Sequence, residues 1–386
     1  MLTIAVGHSE SVDEDDIVEE IIGQCSEKLD GQTPQAGMIF AAVDFDYQEI
    51  LQGILKQWPG LQVMGCSTDG EFSSELGFLD DSVALTLFAS DVIEITTGVG
   101  KNVSANIEAA AANAIAEARK GVKQATRLCL TTPASLLSSS DQVVHHLQSQ
   151  LGPDVTLLGA LAGDQWRFEK TFQFHGAEVL TDAVPIILFS GPVLFSKGVY
   201  SGWQPAGKIG TASKVENNVI YQIDNRPALE FYRDLLGANA VPTGDRPLAI
   251  LNRAGDVECL RASIEQFDEE TGSVTFFGDI PEGAQVQITI ASRDEILDGT
   301  RNSVSRAKDS YPLGKTPSAA IFFSCSGRKL LLGTQTEEEY KILRCELGVD
   351  IPVVGFYGYG EIGPGFEDAT ICQFHNETFV TVLIGD

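Results

Sequence analysis

Two stretches of the chain carry residues able to do chemistry. In "SCSGRK", Cys325 and Arg328 follow an apolar run, and in "PVVGFYGYGEIGPG" Glu361 stands among glycines that include Gly355 and Gly360. An arginine and a carboxylate flanking a glycine-lined hollow hold an amino acid or another small polar molecule by charge-assisted hydrogen bonds. Arg261, in "CLRAS", offers a further donor. Arg328 and Glu361 can equally pair with each other. Both are expected on a loop rim, so their replacement should weaken ligand binding and leave the fold intact. Cys325 offers a thiol, but no histidine accompanies it in sequence to activate it. Ser326 and Lys329 match S-x-x-K without the companion S-D-N and K-T-G motifs. Catalysis is therefore poorly supported, and an enzyme using Cys325 as nucleophile stands as the alternative to a binding protein.

Gly358, Gly360 and Gly363 spell G-x-G-x-x-G, the dinucleotide spacing. That fingerprint needs a helix to open within it, whereas Pro364 and Gly365 follow directly. A nucleotide is excluded on that ground.

An internal repeat supplies the elements that must position these residues. "VMGCSTDGEF" matches "VVGFYGYGEI", as Gly65/Gly70/Glu71 and Gly355/Gly360/Glu361, and "LLGALAGDQW" keeps the pattern one residue shorter as Gly159/Gly163/Asp164. An apolar strand ("MIFAAV", "LCLT", "AAIFFS"), an amphipathic helical stretch ("YQEILQGILKQW", "DQVVHHLQSQL", "TEEEYKILRCEL") and a short apolar strand precede each copy. The fold class is therefore α/β, with three related strand-helix-strand blocks and glycine-rich loops building mixed sheets. Parallel strands joined by a helix bring their C-terminal ends to one edge, so the loops, Asp164 included, are expected to face a common rim. The same residues also suit tight turns and caps.

The blocks are placed at about 36–100, 126–205 and 317–386. An alanine-rich helix capped by Ser104 and ending at Gly121 ties the first to the second. Residues 206–316 read as an antiparallel α+β portion, with a hairpin turning at Asn217-Asn218. A domain boundary near 205 divides the chain into 1–205 and 206–386.

Composition limits the partners. In 386 residues, 54 acidic side chains outnumber 26 basic ones, and a net charge of −28 repels nucleic acid and anionic lipid. Apolar runs such as "VPIILFSGPVLF" are too short to span a bilayer. The acidic start "MLTIAVGHSESVDEDD" lacks the form of a signal peptide, and the expected location is cytoplasmic. Seven scattered cysteines, never as C-x-x-C, suggest neither a disulfide framework nor structural zinc.

Separated stretches in the expected order make the chain similar to FIST-domain proteins: "VMGCSTDGEF", "LLGALAGD" and "DAVPIILFSG" resemble the FIST N module. "DNRPALEFYRDLLG", "FFSCSGRKLLLG", "GFYGYGEIGP" and "FHNETFV" resemble the FIST C module. The resemblance implies a stand-alone bacterial type, without the F-box of eukaryotic relatives. It implies a cytosolic sensor of a small ligand acting on a partner signalling enzyme, a histidine kinase or a cyclic-nucleotide-signalling enzyme. One subgroup binds haem and responds to nitric oxide. Haem b is accordingly a candidate cofactor, with His175 and His375, in the shared "FQFH" and "CQFH", as candidate axial ligands, and the phenylalanines as lining for its pocket. His8, His145 and His146 complete the five histidines.

Overall fold

The computed structural model describes residues 1–366 and 372–386, so the beginning of "ATICQFH", at 369–371, lies outside the described residues. The first block runs β1 (Leu2–Ser9), α1 (Glu14–Leu29), β2 (Ala36–Ala41), α2 (Tyr47–Gln57), β3 (Gln62–Ser67), the hairpin β4 (Glu71–Ser73) and β5 (Gly77–Leu79), and β6 (Val83–Ser90). The second repeats it: β7 (Glu94–Lys101), α3 (Ile107–Ala118), β8 (Thr126–Thr131), α4 (Ser140–Leu151), β9 (Thr156–Ala160), β10 (Gln173–His175), β11 (Glu178–Leu180) and β12 (Ala183–Ser190).

The third block opens with β13 (Leu194–Tyr200) and is then interrupted by an insert. The insert comprises β14 (Gln204–Glu216), β15 (Val219–Ile223), β16 (Arg226–Pro227), α5 (Ala228–Leu236), β17 (Leu248–Leu251), β18 (Val257–Arg261), β19 (Ser263–Phe267), β20 (Val274–Phe276) and β21 (Gln285–Ile290). The block resumes with α6 (Arg293–Ser310), β22 (Ala319–Cys325), α7 (Ser326–Leu332), α8 (Glu337–Leu347), β23 (Val353–Gly358), β24 (Glu361–Pro364), β25 (Cys372–His375) and β26 (Phe379–Gly385).

Each block completes its sheet with a hairpin from another. The strand orders are β1-β6-β2-β3-β10-β11, β7-β12-β8-β9-β24-β25 and β13-β26-β22-β23-β4-β5. The first block thus lends β4-β5 to the third, the third lends β24-β25 to the second, and the second lends β10-β11 to the first. Among the described residues, only the central pairs β2-β3, β8-β9 and β22-β23 are parallel. The insert forms an eight-stranded antiparallel sheet with its own core around Ile220, Tyr232, Phe276 and Ile288.

The three inner sheet faces share one apolar core, in which Met38, Phe40 and Met64 meet Leu130, Leu158 and Ile187, and Phe323, Phe356 and Val382. Phe356 packs on Phe40 at 4.6 Å and on Phe323 at 5.5 Å between ring centroids. Helices cover the outer faces. Tyr47, Ile50, Leu51 and Ile54 form the buried stripe of α2, as the i, i+3/i+4 spacing requires. The alanine-rich helix starts later than expected: Asn106 caps it, accepting from the Ala109 amide at 2.9 Å, while Ser104 donates to Asp182. Rather than tying two blocks together, α3 covers its own sheet, and its alanines let it lie directly on Gly98 and Gly100 of β7.

The repeated glycines serve the backbone. A Cβ on Gly65, Gly159 or Gly355 would strike the carbonyl oxygen of Ile39, Thr131 or Phe322 on the adjacent parallel strand. Gly70 and Gly360 instead take φ of 120° and 138°, a region that side-chain-bearing residues rarely adopt.

Gly65→Ala should therefore cost more than about 3 kcal/mol, in the range of severe core lesions. Gly23→Ala, on an exposed turn of α1 with nothing near the added methyl, should stabilise by about 0.5–1 kcal/mol. Urea unfolding of both variants checks the contrast, and equal effects would contradict it.

Candidate ligand-binding site

The sheet registers identify which residues are equivalent at the rim. Glu71 lies opposite Phe356, Glu361 opposite Ala160, and Gln173 opposite Cys66. The second-block counterpart of the two glutamates is thus Gln173, not Asp164. The chain reaches the position directly in two blocks, but in the second it first makes a long loop, residues 161–172. Similarity in sequence aligned Asp164 because the loop begins with the same glycine spacing.

Both glutamates are carried inside. Glu71 is fully buried and accepts hydrogen bonds from the Thr68 and Ser82 hydroxyls. Burial pushes its carboxyl up to about 8, against those hydroxyls and the nearby Lys329. The Ser82 hydroxyl also lies 2.8 Å from His8 Nε2, and His8 Nδ1 lies 2.7 Å from Ser73 Oγ. His8 lies inside β1, and burial pulls it down to about 4. Glu361 accepts from the amide and hydroxyl of Thr378 at 3.0 and 2.7 Å through Oε2, and Oε1 has no partner. Burial holds it well above the usual carboxylate range.

Arg328 does not pair with Glu361, and it is not on a rim. It is fully buried, bonded to Glu339 at 2.6 Å, to Thr300 at 2.8 Å and to the Ile296 carbonyl at 2.9 Å. Glu339 also accepts from Thr300 at 2.6 Å and from Tyr357. The helix α7 that follows β22 points Arg328 back under the sheet, a direction that sequence spacing does not reveal. Gly355 lies within β23, against β22, and Gly360 lies against Phe374. Arg261, also buried, pairs with Asp141 at 2.6 Å and donates to the Phe374 and Asp279 carbonyls, joining the insert to the second and third blocks. It borders a wide hollow of about 720 Å³ beside α4, in which its charge is already answered.

Cys325 alone of these residues lines a chamber of about 390 Å³ between the long loop, the third-block rim and the insert. Trp166 and Phe168 come from the loop, Tyr359 from the rim and Phe277 from the insert. Phe168 stacks on Tyr359 at 4.9 Å and faces Phe277 at 6.1 Å. Ser326 and Glu377 complete the floor; Glu377 Oε2 is buried without a partner, and the Ser326 hydroxyl lies beside Asp69. Asp69 lies behind Ser326: its Oδ1 accepts from the Gln165 amide at 2.6 Å, whereas Oδ2 completes no hydrogen bond. Burial pushes Asp69 up to about 6, although the adjacent Ser326 hydroxyl and Lys329 favour its charge. Burial likewise pushes the Cys325 thiol far up, with Glu361 and Glu377 adding to the effect.

Asp164 builds the chamber wall without lining it. Its carboxylate accepts from the amides of Phe168, Glu169 and Lys170 at 3.0, 2.8 and 2.9 Å and from the Tyr359 hydroxyl, which in turn accepts from the Trp166 amide at 2.7 Å. So held, Gln165, Trp166 and Phe168 adopt φ of 55°, 62° and 51°. Glu265 and Glu377, also at the chamber, stand at 60°. Strained backbone of this kind persists only where its surroundings enforce it, and it gathers at functional sites. Sequence reasoning missed the aromatic residues and Glu377. The available signal was "DQWRFEK", two aromatics in a polar loop, where aromatics have no core to fill.

A FIST N domain family model matches residues 35–226, and a FIST C domain model matches residues 228–364. An uncharacterized protein of Mycobacterium tuberculosis is 26% identical over 250 residues, covering 61% of this chain and 63% of its own length. The alignment thus takes in less than two thirds of that relative. Uncharacterized proteins of Methanocaldococcus jannaschii and Mycobacterium bovis are each 21% identical. The former alignment covers 87% of this chain and 70% of the relative, the latter 94% of both. Among solved structures, cyanuric acid hydrolase from A. caulinodans superposes over 100% of this chain and 99% of its own, with 8% identity and a TM-score of 0.39. Among the described residues, no helix is long and apolar enough to cross a membrane.

Removing Arg328 strands a buried carboxylate, so Arg328→Ala should lose about 3–5 kcal/mol of stability in urea unfolding. Replacing Arg328 and Glu339 together by leucine and methionine should recover much of that loss, and an Arg328→Ala protein of wild-type stability would contradict the pairing.

The buried acids also set a pH dependence. Glu71 and Glu377 hold their protons up to about 8 when folded, against an ordinary value of 4.5. Their contribution is complete below about 4.5 and is lost as pH rises through 8. His8 and His375, both pulled down to about 4, act oppositely, so that stability rises between about 4 and 6.5. Thermal midpoints should therefore decline from pH 6.5 to 8, and Glu71→Gln should flatten the decline. An unchanged slope would show that Glu71 is ionised in the folded protein.

Proposed function

Since the chain belongs to the FIST family, whose domains are small-ligand-sensing signalling domains, we propose that the aromatic chamber at the junction of loop, rim and insert is where it binds that ligand. One observation carries the reading: a chamber of about 390 Å³ combines four aromatic walls with a buried carboxyl oxygen, Glu377 Oε2, that has no partner in the protein. Buried polar atoms are almost always satisfied, and a bound molecule supplies what this one lacks. A small metabolite suits the volume. The ligand touches three parts of the chain at once, so its arrival tightens the long loop and the insert against the third block. A partner signalling enzyme, a histidine kinase or a cyclic-nucleotide-signalling enzyme, would read that change on the outer surface of the loop and insert.

Haem does not enter this reading, because the residues at hand do not fit it. His375 is fully buried, with Nε2 turned to the Gly363 and Pro364 carbonyls at 3.3 and 3.1 Å and its ring against Phe366. His175 faces Thr97 at 3.2 Å across a shallow hollow shared with Glu117 and Lys120. The phenylalanines of their motifs, Phe174 and Phe374, fill the cores under α2 and α4 instead of lining a slot for a macrocycle. A thiol enzyme is also disfavoured, since a protonated, buried Cys325 is a poor nucleophile.

Thermal-shift screening of a metabolite panel tests the site. At least one compound should raise the midpoint. Gly244 lines the chamber with room for a side chain, so Gly244→Phe should keep the fold and abolish that shift. A ligand bound equally well by Gly244→Phe would place the sensing site elsewhere.

A further inference from the structure

The charges around the chamber are one-sided. Asp245, Glu265 and Glu377 line it, and among the described residues no lysine or arginine does. Of the three acids, Asp245 is answered by Arg246 at 2.6 Å. Glu377 is 2% exposed, is held in a left-handed turn between β25 and β26, and has a carboxylate oxygen without a partner. The turn is fixed from both sides: the Asn376 amide donates to the Leu260 carbonyl, the Asn376 side chain accepts from the Ala262 amide at 3.1 Å, and Thr378 holds Glu361. Gly327 leaves the space that the Glu377 carboxyl occupies, since a Cβ there would strike it. A carboxylate placed so deliberately and left unsatisfied is costly unless a partner arrives. Across from it, Trp166, Phe168 and Tyr359 present ring faces and edges, Phe168 and Tyr359 nearly parallel at 21° and Trp166 at 81° to Phe168. Aromatic faces set about a buried acid attract a positive charge with an apolar body.

Resting on the assignment of this chamber as the ligand site, we infer that its ligand is an organic cation, an amine carried as ammonium, whose head lies against Glu377 and whose body stacks on Phe168 and Tyr359. An anionic metabolite is refused, because Glu265 repels it and, among the described residues, no basic side chain lines the chamber to receive it. The empty site tolerates Glu377 because burial keeps it protonated, Arg328 offsetting this only in part and Asp245 adding to it. The cation then replaces that proton.

Three probes of one size separate the possibilities: 2-phenylethylammonium, 2-phenylethanol and phenylacetate, titrated calorimetrically into the full-length protein. The ammonium should bind at least about tenfold more tightly than either of the others. Glu377→Gln should remove that advantage and leave the alcohol unchanged. If Glu377→Gln fails to fold, Phe168→Leu replaces it, and it should weaken the ammonium more than the alcohol. Phenylacetate binding as well as the ammonium, with both lost in Gly244→Phe, would overturn the cation and keep the chamber. Ammonium affinity retained in both Glu377→Gln and Phe168→Leu overturns the cation likewise. Binding of none of the probes at millimolar concentration overturns both readings.

Discussion

The exchange of hairpins between blocks is the constraint on which the rest of the molecule depends. Without it β3, β9 and β23 would be bare edge strands, each a row of unpaired backbone groups beside a hydrophobic face. With it, no block can close its sheet alone, and the hairpin registers fix the blocks against one another around a shared core. The loops that lead into the hairpins must then cross from one sheet to the next. That crossing carries Asp69, Glu71 and Glu361 inside, where water cannot reach them and their charge is suppressed. The chamber is a product of the same crossing, at the place where the second block takes its long route through residues 161–172.

Much of this architecture was legible. The alternation of apolar strands and amphipathic helices, with its threefold recurrence, gave the mixed α/β class, the parallel central pairs and the hairpin at Asn217-Asn218, where β14 meets β15 at Glu216 and Val219. What was not legible is where a strand finds its partner. Gln173 and Glu361 occupy equivalent positions only once their registers against Cys66 and Ala160 are known, and no local pattern encodes a pairing between different blocks. That β7 and β13 open the second and third blocks was overlooked for a related reason. β13 pairs with β26 across the whole insert, a separation that periodicity does not bridge.

The site shows the same division. Cys325 was found because it ends an apolar strand, and chain direction puts such residues at a rim. Arg328 was misplaced because three residues of helix turn a side chain through most of a revolution, from the rim to the buried Glu339. The glycines drew notice as a ligand cradle, yet they answer to neighbouring carbonyl oxygens and to left-handed φ. In the proposed site the binding chemistry lies instead with an aromatic pair in a polar loop, whose signal was faint, and a glutamate in a turn, which carried none.

Strain in that loop and an unsatisfied acid beneath it are two sides of one energy balance, in which a bound cation satisfies the acid and fixes the loop. Amide hydrogen exchange with and without saturating 2-phenylethylammonium measures this directly. The account predicts slower exchange at Trp166 and at Phe168 to Lys170, whose amides the Tyr359–Asp164 clamp holds, and at Ala262 on the facing edge of the insert, with the strands β2, β8 and β22 unaffected. Protection confined to another region, or none at the loop while the probe is bound, would contradict it.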